Sequence, residues 1–318
     1  MPQPRPPANA GLRVIGGDVS KLTVTLVDSS TGRRQDVANR LPDLVEALRP
    51  HACHDWLVCE TTGGWERPLL DAAAIVGLRA SRADAARLKA FILSHGGRAK
   101  TDGIDAEWAA RYGLERADSL KPWHPPAPER QALAELMRHR QDLLAQRVQA
   151  SNRRSAPSGP AVQALLDEQI AFLSGQIQTI DQQMARLIKA SPDLDQDEQC
   201  LRAITGIGPV VARSLVALLP ELGRLGPKQI ASLAGLAPHP RDSGQTTGRR
   251  RTTPGRNGLR PVLFMAALSA ARRHPQLAEV YKRLLDAGKP KRLALTAIAR
   301  KLIVIANAKL RDQRAILT

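Results

Sequence analysis

Aromatic side chains are scarce, at 3% of 318 residues. That scarcity argues against a base-stacking sheet of the RNA-recognition type, which presents rings to unpaired bases. Cysteine is scarcer still, and Cys53, Cys59 and Cys200 form no C-x-x-C pair. Neither a disulfide framework nor a structural zinc site is expected, and the compartment reads as reducing. No apolar run approaches the ~18–20 residues of a membrane span; Arg213 breaks the best candidate, Val210 to Leu219. The N-terminus, MPQPRPPANAGL, is proline-rich and lacks the apolar core of a secretory signal. A cytoplasmic protein with no membrane partner is the expectation, with residues 1–12 disordered.

Acidic residues are missing from one stretch of the chain. Residues 199–318 carry 22 Lys and Arg against 5 Asp and Glu, which accounts for the whole formal charge of +17. A polyanion is the partner such a charge suggests, because neutralising phosphates releases condensed counterions. A membrane surface is the rival, but the basic residues do not oppose a face of Trp or Phe. A solvated basic surface is the plain alternative. Contact with a nucleic-acid backbone fits best.

What is present is a globular composition, 43% apolar and 24% charged, with length for about two domains of ~150 residues. Residues 14–18, 23–27 and 34–38 read as strands, 41–48 as a helix, and 56–59 as a buried strand ending at Glu60. A helix at 64–76, a short strand at 78–80 and a helix at 83–94 follow. This alternation predicts an α/β domain over 13–118, with helices on the faces of a mixed sheet. KPWHPPAP marks a proline-rich linker at 119–128. Beyond it 129–148 has helical spacing, and Leu166, Ile170, Leu173, Ile177, Ile180, Met184 and Leu187 recur at alternating steps of four and three. That seam predicts a coiled-coil arm over 129–190, against the alternative of an ordinary bundle helix. The arm either folds back on itself or dimerises. From 191 to 318 the chain reads as mainly helical, with helices at 258–273, 276–287 and 292–309 and a polar interruption at 239–257.

Four carboxylates stand where these elements end. Asp18 follows the first strand in GGDVSK and Glu60 ends a later one in LVCETTGG, while Asp102 and Asp105 share one helix face in KTDGIDAEWAA. If the two strands are neighbours and that helix crosses their ends, the four converge. Such a cluster repels itself unless cations fill it. Hard oxygen ligands point to Mg²⁺, and two ions ~3.5–4 Å apart align a phosphoryl group for in-line displacement. Taken singly, each Asp is also an ordinary turn or helix-start residue.

The segments GGDVSK, CETTGGWERPLL and RAKTDGIDAEWAA resemble those that carry the acidic residues of the DEDD insertion-sequence transposases. These are bacterial recombinases of the "IS one-ten" group, guided by a bridge RNA. The resemblance implies a RuvC-like, RNase H-type N-terminal domain and places the acidic tetrad on Asp18, Glu60, Asp102 and Asp105. The sequence departs at Gly17, where the family usually has an aliphatic residue before the Asp.

Glycine and arginine dominate the motifs of the basic part. In LRAITGIGPVVARSLVALLP, a helix turn, Gly206-x-Gly208 and a second helix read as a helix-hairpin-helix, whose N–H groups approach a phosphate. Close helix packing without any ligand is the other reading. A Rossmann loop is excluded, since a preceding strand and a third glycine are missing. The segment LAGLAPHPRDSGQTTGRRRTTPGRNGLR sets Arg241, Arg249, Arg250, Arg251, Arg256 and Arg260 against one acid, Asp242. Gly244, Gly248, Gly255 and Gly258 suggest a pliable segment that moulds to a backbone. Ser243 inside it is either a turn or phosphate-contact residue, or a nucleophile for a phosphodiester flanked by stabilising guanidiniums.

The same family resemblance extends over residues 199–275 and puts the family's C-terminal serine on Ser243. It implies a transposase that cuts and rejoins donor and target DNA through a phosphoserine link, with Mg²⁺ in the acidic tetrad. It further implies a bridge RNA as partner, a homo-oligomer (dimer or tetramer) and action at the bacterial nucleoid. The alternative is a metal-only RuvC-like nuclease of the Holliday-junction resolvase type, with Ser243 structural. A non-enzymatic nucleic-acid scaffold is the third reading.

Overall fold

Short β-branched runs separated by tight turns open the chain, and they form a meander. The computed structural model describes residues 11–97, 102–239, 251–252 and 255–316, without the side chains of 102–104, 239 and 251. Of residues 1–12, where disorder was expected, 1–10 lie outside that set and 11–12 are within it. Strands β1 (Val14–Val19), β2 (Thr23–Asp28) and β3 (Arg34–Ala38) pair antiparallel. β4 (Trp56–Glu60) joins β1 in parallel, and β5 (Ala80–Ala83) joins β4 in parallel, giving the order β3-β2-β1-β4-β5. Parallel pairing demands crossovers, and helices supply them. These are α1 (Leu41–Leu48), followed by a 3-10 turn at Arg49–His51, and α2 (Arg67–Val76). α3 (Ala85–Ser94) and α4 (Asp102–Glu115) follow.

Side-chain alternation along the strands splits the core in two. Ile15, Leu57 and Cys59 pack with Leu44 and Leu48 of α1 and Leu69 of α2. On the opposite face Val14, Trp56 and Val58 pack with Leu88 and Phe91 of α3 and Ala109 of α4. The expected mixed sheet with helices on its faces therefore forms, with α2 starting at 67 instead of 64 and one further displacement. The fifth strand runs 80–83 instead of 78–80, and α3 starts at 85 instead of 83. Gly77 closes α2 in the left-handed region (φ 78°), and the Leu78 amide bonds back to Ala73 O at 2.9 Å, so Leu78 belongs to the helix end. The sequence ASRA has no β-branched residue; pairing with β4 makes it a strand. Asp84 then caps α3 by accepting from the Arg87 amide at 3.0 Å.

The two glycines of GGDVSK are seats for helices. A Cβ on Gly16 would overlap the Ala106 carbonyl and stand 2.6 Å from the Ala110 nitrogen of α4. Gly113 of α4 has the same role, since a Cβ there would lie 2.7 Å from Val14 Cγ1. Gly17 faces the other way, where a Cβ would meet Leu69 Cδ2 of α2 at 2.9 Å. β1 stays paired on both sides through these positions, so the missing aliphatic residue leaves the strand intact.

Two compact units divide between Pro125 and Pro126. The second begins with α5 (Pro128–Arg154) and α6 (Pro160–Ala190). Arg154 pairs with Asp167 at 2.7 Å and Arg140 with Asp181 at 2.7 Å, so residue numbers rise on one helix as they fall on the other. The two helices are antiparallel neighbours. Leu166, Leu173, Ile177, Ile180, Met184 and Ile188 are buried, the last in place of the expected Leu187, and Ile170 is only half-buried. A straight helix of 3.6 residues per turn drifts off a seven-residue repeat in this way. Then come α7 (Pro192–Arg202), α8 (Pro209–Leu218), α9 (Pro227–Leu233), α10 (Leu259–Arg273), α11 (Pro275–Asp286) and α12 (Lys291–Ile316). One continuous core runs through this unit from Leu133 to Leu310. Buried polar links span it. Asp197 takes Arg130 at 3.2 Å and Arg314 at 2.7 Å, while Asn307 accepts from the Gly223 amide at 2.8 Å. Among the described residues no helix is long and apolar enough to cross a membrane.

Candidate active site and nucleic-acid interface

Parallel pairing of β1 with β4 matches Gly16 to Val58 and Gly17 to Cys59, so the next residues, Asp18 and Glu60, stand side by side at the strand ends. Alternation puts both on the face that carries Val14, Gly16 and Val58, the face α4 covers. Ala106 seats on Gly16, and Asp105 immediately precedes it, so the first turns of α4 reach the same end of the sheet. Asp18, Glu60 and Asp105 are each half-buried. Asp102 opens α4; its side chain lies outside the described residues. The positive end of the helix dipole favours carboxylates in that turn.

Two loops at this end are tied together. The Asn39 side-chain amide donates to Ser20 O at 2.8 Å and to Trp65 O at 3.0 Å, joining the β1–β2 turn to the loop after Glu60. Within that loop the buried Glu66 accepts from Thr62 N (3.2 Å), Thr62 Oγ1 (2.9 Å) and Gly64 N (2.8 Å). Burial pushes the Glu66 carboxyl up, but these donors outweigh it and hold the group below its ordinary range. Glu66 positions the backbone that leaves Glu60, a role the sequence reading missed. Its only signal was an acid closing the glycine-rich run TTGGWE. Lys21 and the half-exposed Trp65, 5.7 Å apart in a cation–π contact, stand on these two loops.

The donors of this acidic end are all hard oxygens, which suit a hard divalent cation. Among the described residues Asp18, Glu60 and Asp105 do not converge within 4.8 Å; the group that does is Asp28, His51 and His54.

In the basic unit the sequence-predicted residues separate into two kinds. Gly206, at φ 103°, is turned inward, where a Cβ would lie 2.7 Å from Ala270 Cβ of α10. Its role is close packing. Gly208 instead sits exposed ahead of α8 with nothing within 4 Å of an added Cβ, leaving that helix end open. Gly255 and Gly258 are not pliable positions, contrary to expectation. A Cβ on Gly255 would overlap the Gly235 backbone, and one on Gly258 would overlap the Gln141 amide. Arg256 is likewise engaged inside the unit: its guanidinium holds Glu221 through two 2.7 Å bonds and donates to Leu218 O at 2.8 Å. Replacing Arg256 by Ala is expected to cost about 2 kcal/mol, the scale of a charged hydrogen-bond pair, and to lower the melting temperature by roughly 4–8 °C. The salt dependence of DNA binding should stay unchanged, as measured by titrations at several ionic strengths.

Ser243 lies outside the described residues, together with Arg241, Arg249 and Arg250 and the side chain of Arg251. The anchors of that segment are described. β6 (Pro238–His239) and β7 (Arg251–Thr252) pair antiparallel on either side of residues 240–250, which lie outside the described set, and the Arg256 amide bonds to Leu233 O at 2.7 Å. A cleft of about 940 Å³ opens at this strand pair, bounded by Pro238 and Thr252. Arg260, Lys289, Arg292 and Arg300 line it, with Leu236, Leu284 and Leu293 between them and no acid among its described lining residues. Arg260 is exposed there, so its charge is available to an anion.

Known proteins share this sequence organisation. Residues 15–156 match the DEDD family of IS110-type proteins described as Transposase, and residues 198–282 match the Transposase IS116/IS110/IS902 family. The pilin gene-inverting protein of Moraxella lacunata is 30% identical over 312 residues, covering 94% of this chain and 96% of that protein. Its counterpart from Moraxella bovis is 31% identical over 262 residues, covering 81% and 80%. A solved structure of T. thermophilus RuvC in complex with a Holliday junction substrate superposes with a TM-score of 0.29 at 13% identity, over 35% of this chain and 99% of that one. That likeness is too slight to carry an argument. The class defined by the matches is transposase, an enzyme of DNA recombination. The chain belongs to the IS116/IS110/IS902 transposase family.

Proposed function

We propose that this chain cuts and rejoins DNA by covalent catalysis, with Ser243 as nucleophile and Asp18, Glu60, Asp102 and Asp105 as the Mg²⁺-binding carboxylates. The observation that carries the reading is the β1–β4 register, which sets Asp18 beside Glu60 under the first turns of α4. The strand order, an antiparallel meander extended by two parallel strands, supports an RNase H-type domain of the RuvC kind. Mg²⁺ bound at the carboxylates supplies charge neutralisation and orients the phosphoryl oxygens. In the covalent step Ser243 Oγ forms a bond to phosphorus, the bond from phosphorus to one strand oxygen breaks, and that oxygen leaves with a proton as a strand hydroxyl. Attack by the hydroxyl of another strand reverses the step and frees the serine, so phosphodiester energy is retained. Arginines of the 241–260 segment other than Arg256 offset charge on the transferring phosphate.

The family resemblance supports three further parts of this reading. They are a bridge RNA that pairs with donor and target DNA, a nucleoid location, and a homo-oligomer in which one subunit's serine meets another's carboxylates. An exposed apolar stretch on the helical arm, Val162, Leu165 and Phe172, supports a dimer or tetramer. The reading is tested on a supercoiled plasmid carrying the element ends, incubated with protein and Mg²⁺. A protein–DNA adduct removed by protease, followed by strand transfer, supports it. Nicking without any adduct overturns it in favour of the metal-only nuclease.

Arg249, Arg250 and Arg251 are expected to contact phosphates. Neutralising all three should weaken binding across sequences and flatten the log–log salt slope by up to ~0.9 per lost duplex contact. Binding titrations over a range of salt measure that slope, and an unchanged value places the three side chains in solvent.

A further inference from the structure

At the far end of the first unit's sheet from Asp18 lies a second group of metal-ligating side chains. Asp28 ends β2, His51 closes the 3-10 turn after α1, and His54 follows just before β4. His54 Nε2 is 3.2 Å from Asp28 Oδ1, and His51 Nδ1 is 3.8 Å from Asp28 Oδ2. One donor atom from each residue lies within 4.8 Å of the other two. The group is enclosed, with the His54 side chain 7% exposed and that of Asp28 8% exposed. Both ring nitrogens of His54 are buried and have no hydrogen-bond partner among the described residues, Nε2 meeting Asp28 only in an ion-pair contact. Buried polar atoms are rarely left so, and a ligand is one remedy.

We propose that Asp28, His51 and His54 hold a zinc ion, three protein ligands that leave its fourth position to water. Two imidazole nitrogens and one carboxylate oxygen make a borderline donor set that zinc favours, unlike the all-oxygen acidic end. Zinc bonds of ~2.0–2.1 Å at tetrahedral angles place donors about 3.3 Å apart, and the two separations from the imidazoles to Asp28 are 3.2 and 3.8 Å. The Ser30 hydroxyl (2.6 Å) and the Ser30 amide (2.8 Å) both donate to Asp28 Oδ1, so Ser30 orients the carboxylate between the hairpin and the two imidazoles. Bound zinc would staple the β2–β3 hairpin to the turn that feeds β4, the strand ending in Glu60.

The test uses full-length protein stripped of metal and titrated with Zn²⁺ and, in parallel, with Co²⁺. The expected result is one tight Zn²⁺ per chain and the intense visible absorption of low-coordinate Co²⁺ with nitrogen ligands. His51→Gln should weaken Zn²⁺ binding at least as much as the about 10–100-fold loss expected for Ser30→Ala. A Zn²⁺ isotherm that neither substitution moves overturns the proposal. So does a wild-type Co²⁺ spectrum of only the weak six-coordinate kind, a readout that needs no variant to fold.

Discussion

Asp18→Asn or Glu60→Gln is expected to slow DNA strand cleavage by at least about 10³-fold, with the protein still folded. Both substitutions keep the shape of the side chain and remove only its charge. The metal at such a site contributes several kcal/mol of transition-state stabilisation, and 1.36 kcal/mol is a factor of ten in rate. The register beside β4 gives each carboxylate an equal claim on the site, so the two losses should be similar and far from additive in the double variant. Initial rates of plasmid cleavage measure the effect, and far-UV circular dichroism checks the fold. Wild-type rates in both variants would leave the acidic end without a part in the chemistry.

The second large effect concerns the serine. Ser243→Ala should remove the protease-sensitive DNA adduct and slow strand transfer by roughly 10⁴-fold or more, the scale seen when a covalent nucleophile is deleted from other enzymes. Binding should be nearly unaffected, because the arginines and not the hydroxyl supply the salt-sensitive attraction. This separates the two mechanisms the chain suggests. In a metal-only nuclease water attacks, and Ser243→Ala would nick DNA at the wild-type rate. The measurement is made on denaturing gels with end-labelled DNA, before and after protease.

Much of the first unit was legible from local pattern. β-Branched alternation marked β1, β2 and β3 within a residue of their ends, and the carboxylates at Asp18 and Glu60 stood out as acids at strand termini. β5 was misplaced because ASRA carries no strand signal of its own. Glu66 was passed over because its worth lies in three donors that only the folded loop brings to it. Arg256 looked like its neighbours in a basic run, yet it holds Glu221, thirty-five residues away. Gly206, Gly255 and Gly258 suggested phosphate contact or pliability and are instead places of close packing, against Ala270, the Gly235 backbone and the Gln141 amide.

Local periodicity, end residues and charge are written in the order of the chain, and they determined the element types, the acidic strand ends and the basic final third. Proximity is not written there. Only the tertiary structure decided that Gly16 and Gly17 face two different helices, that Asp18 lies beside Glu60, and that Asp28, His51 and His54 meet. The physical reason is that a side chain's chemistry depends on what else is within a few ångströms, and in a packed sheet those neighbours come from strands distant in sequence.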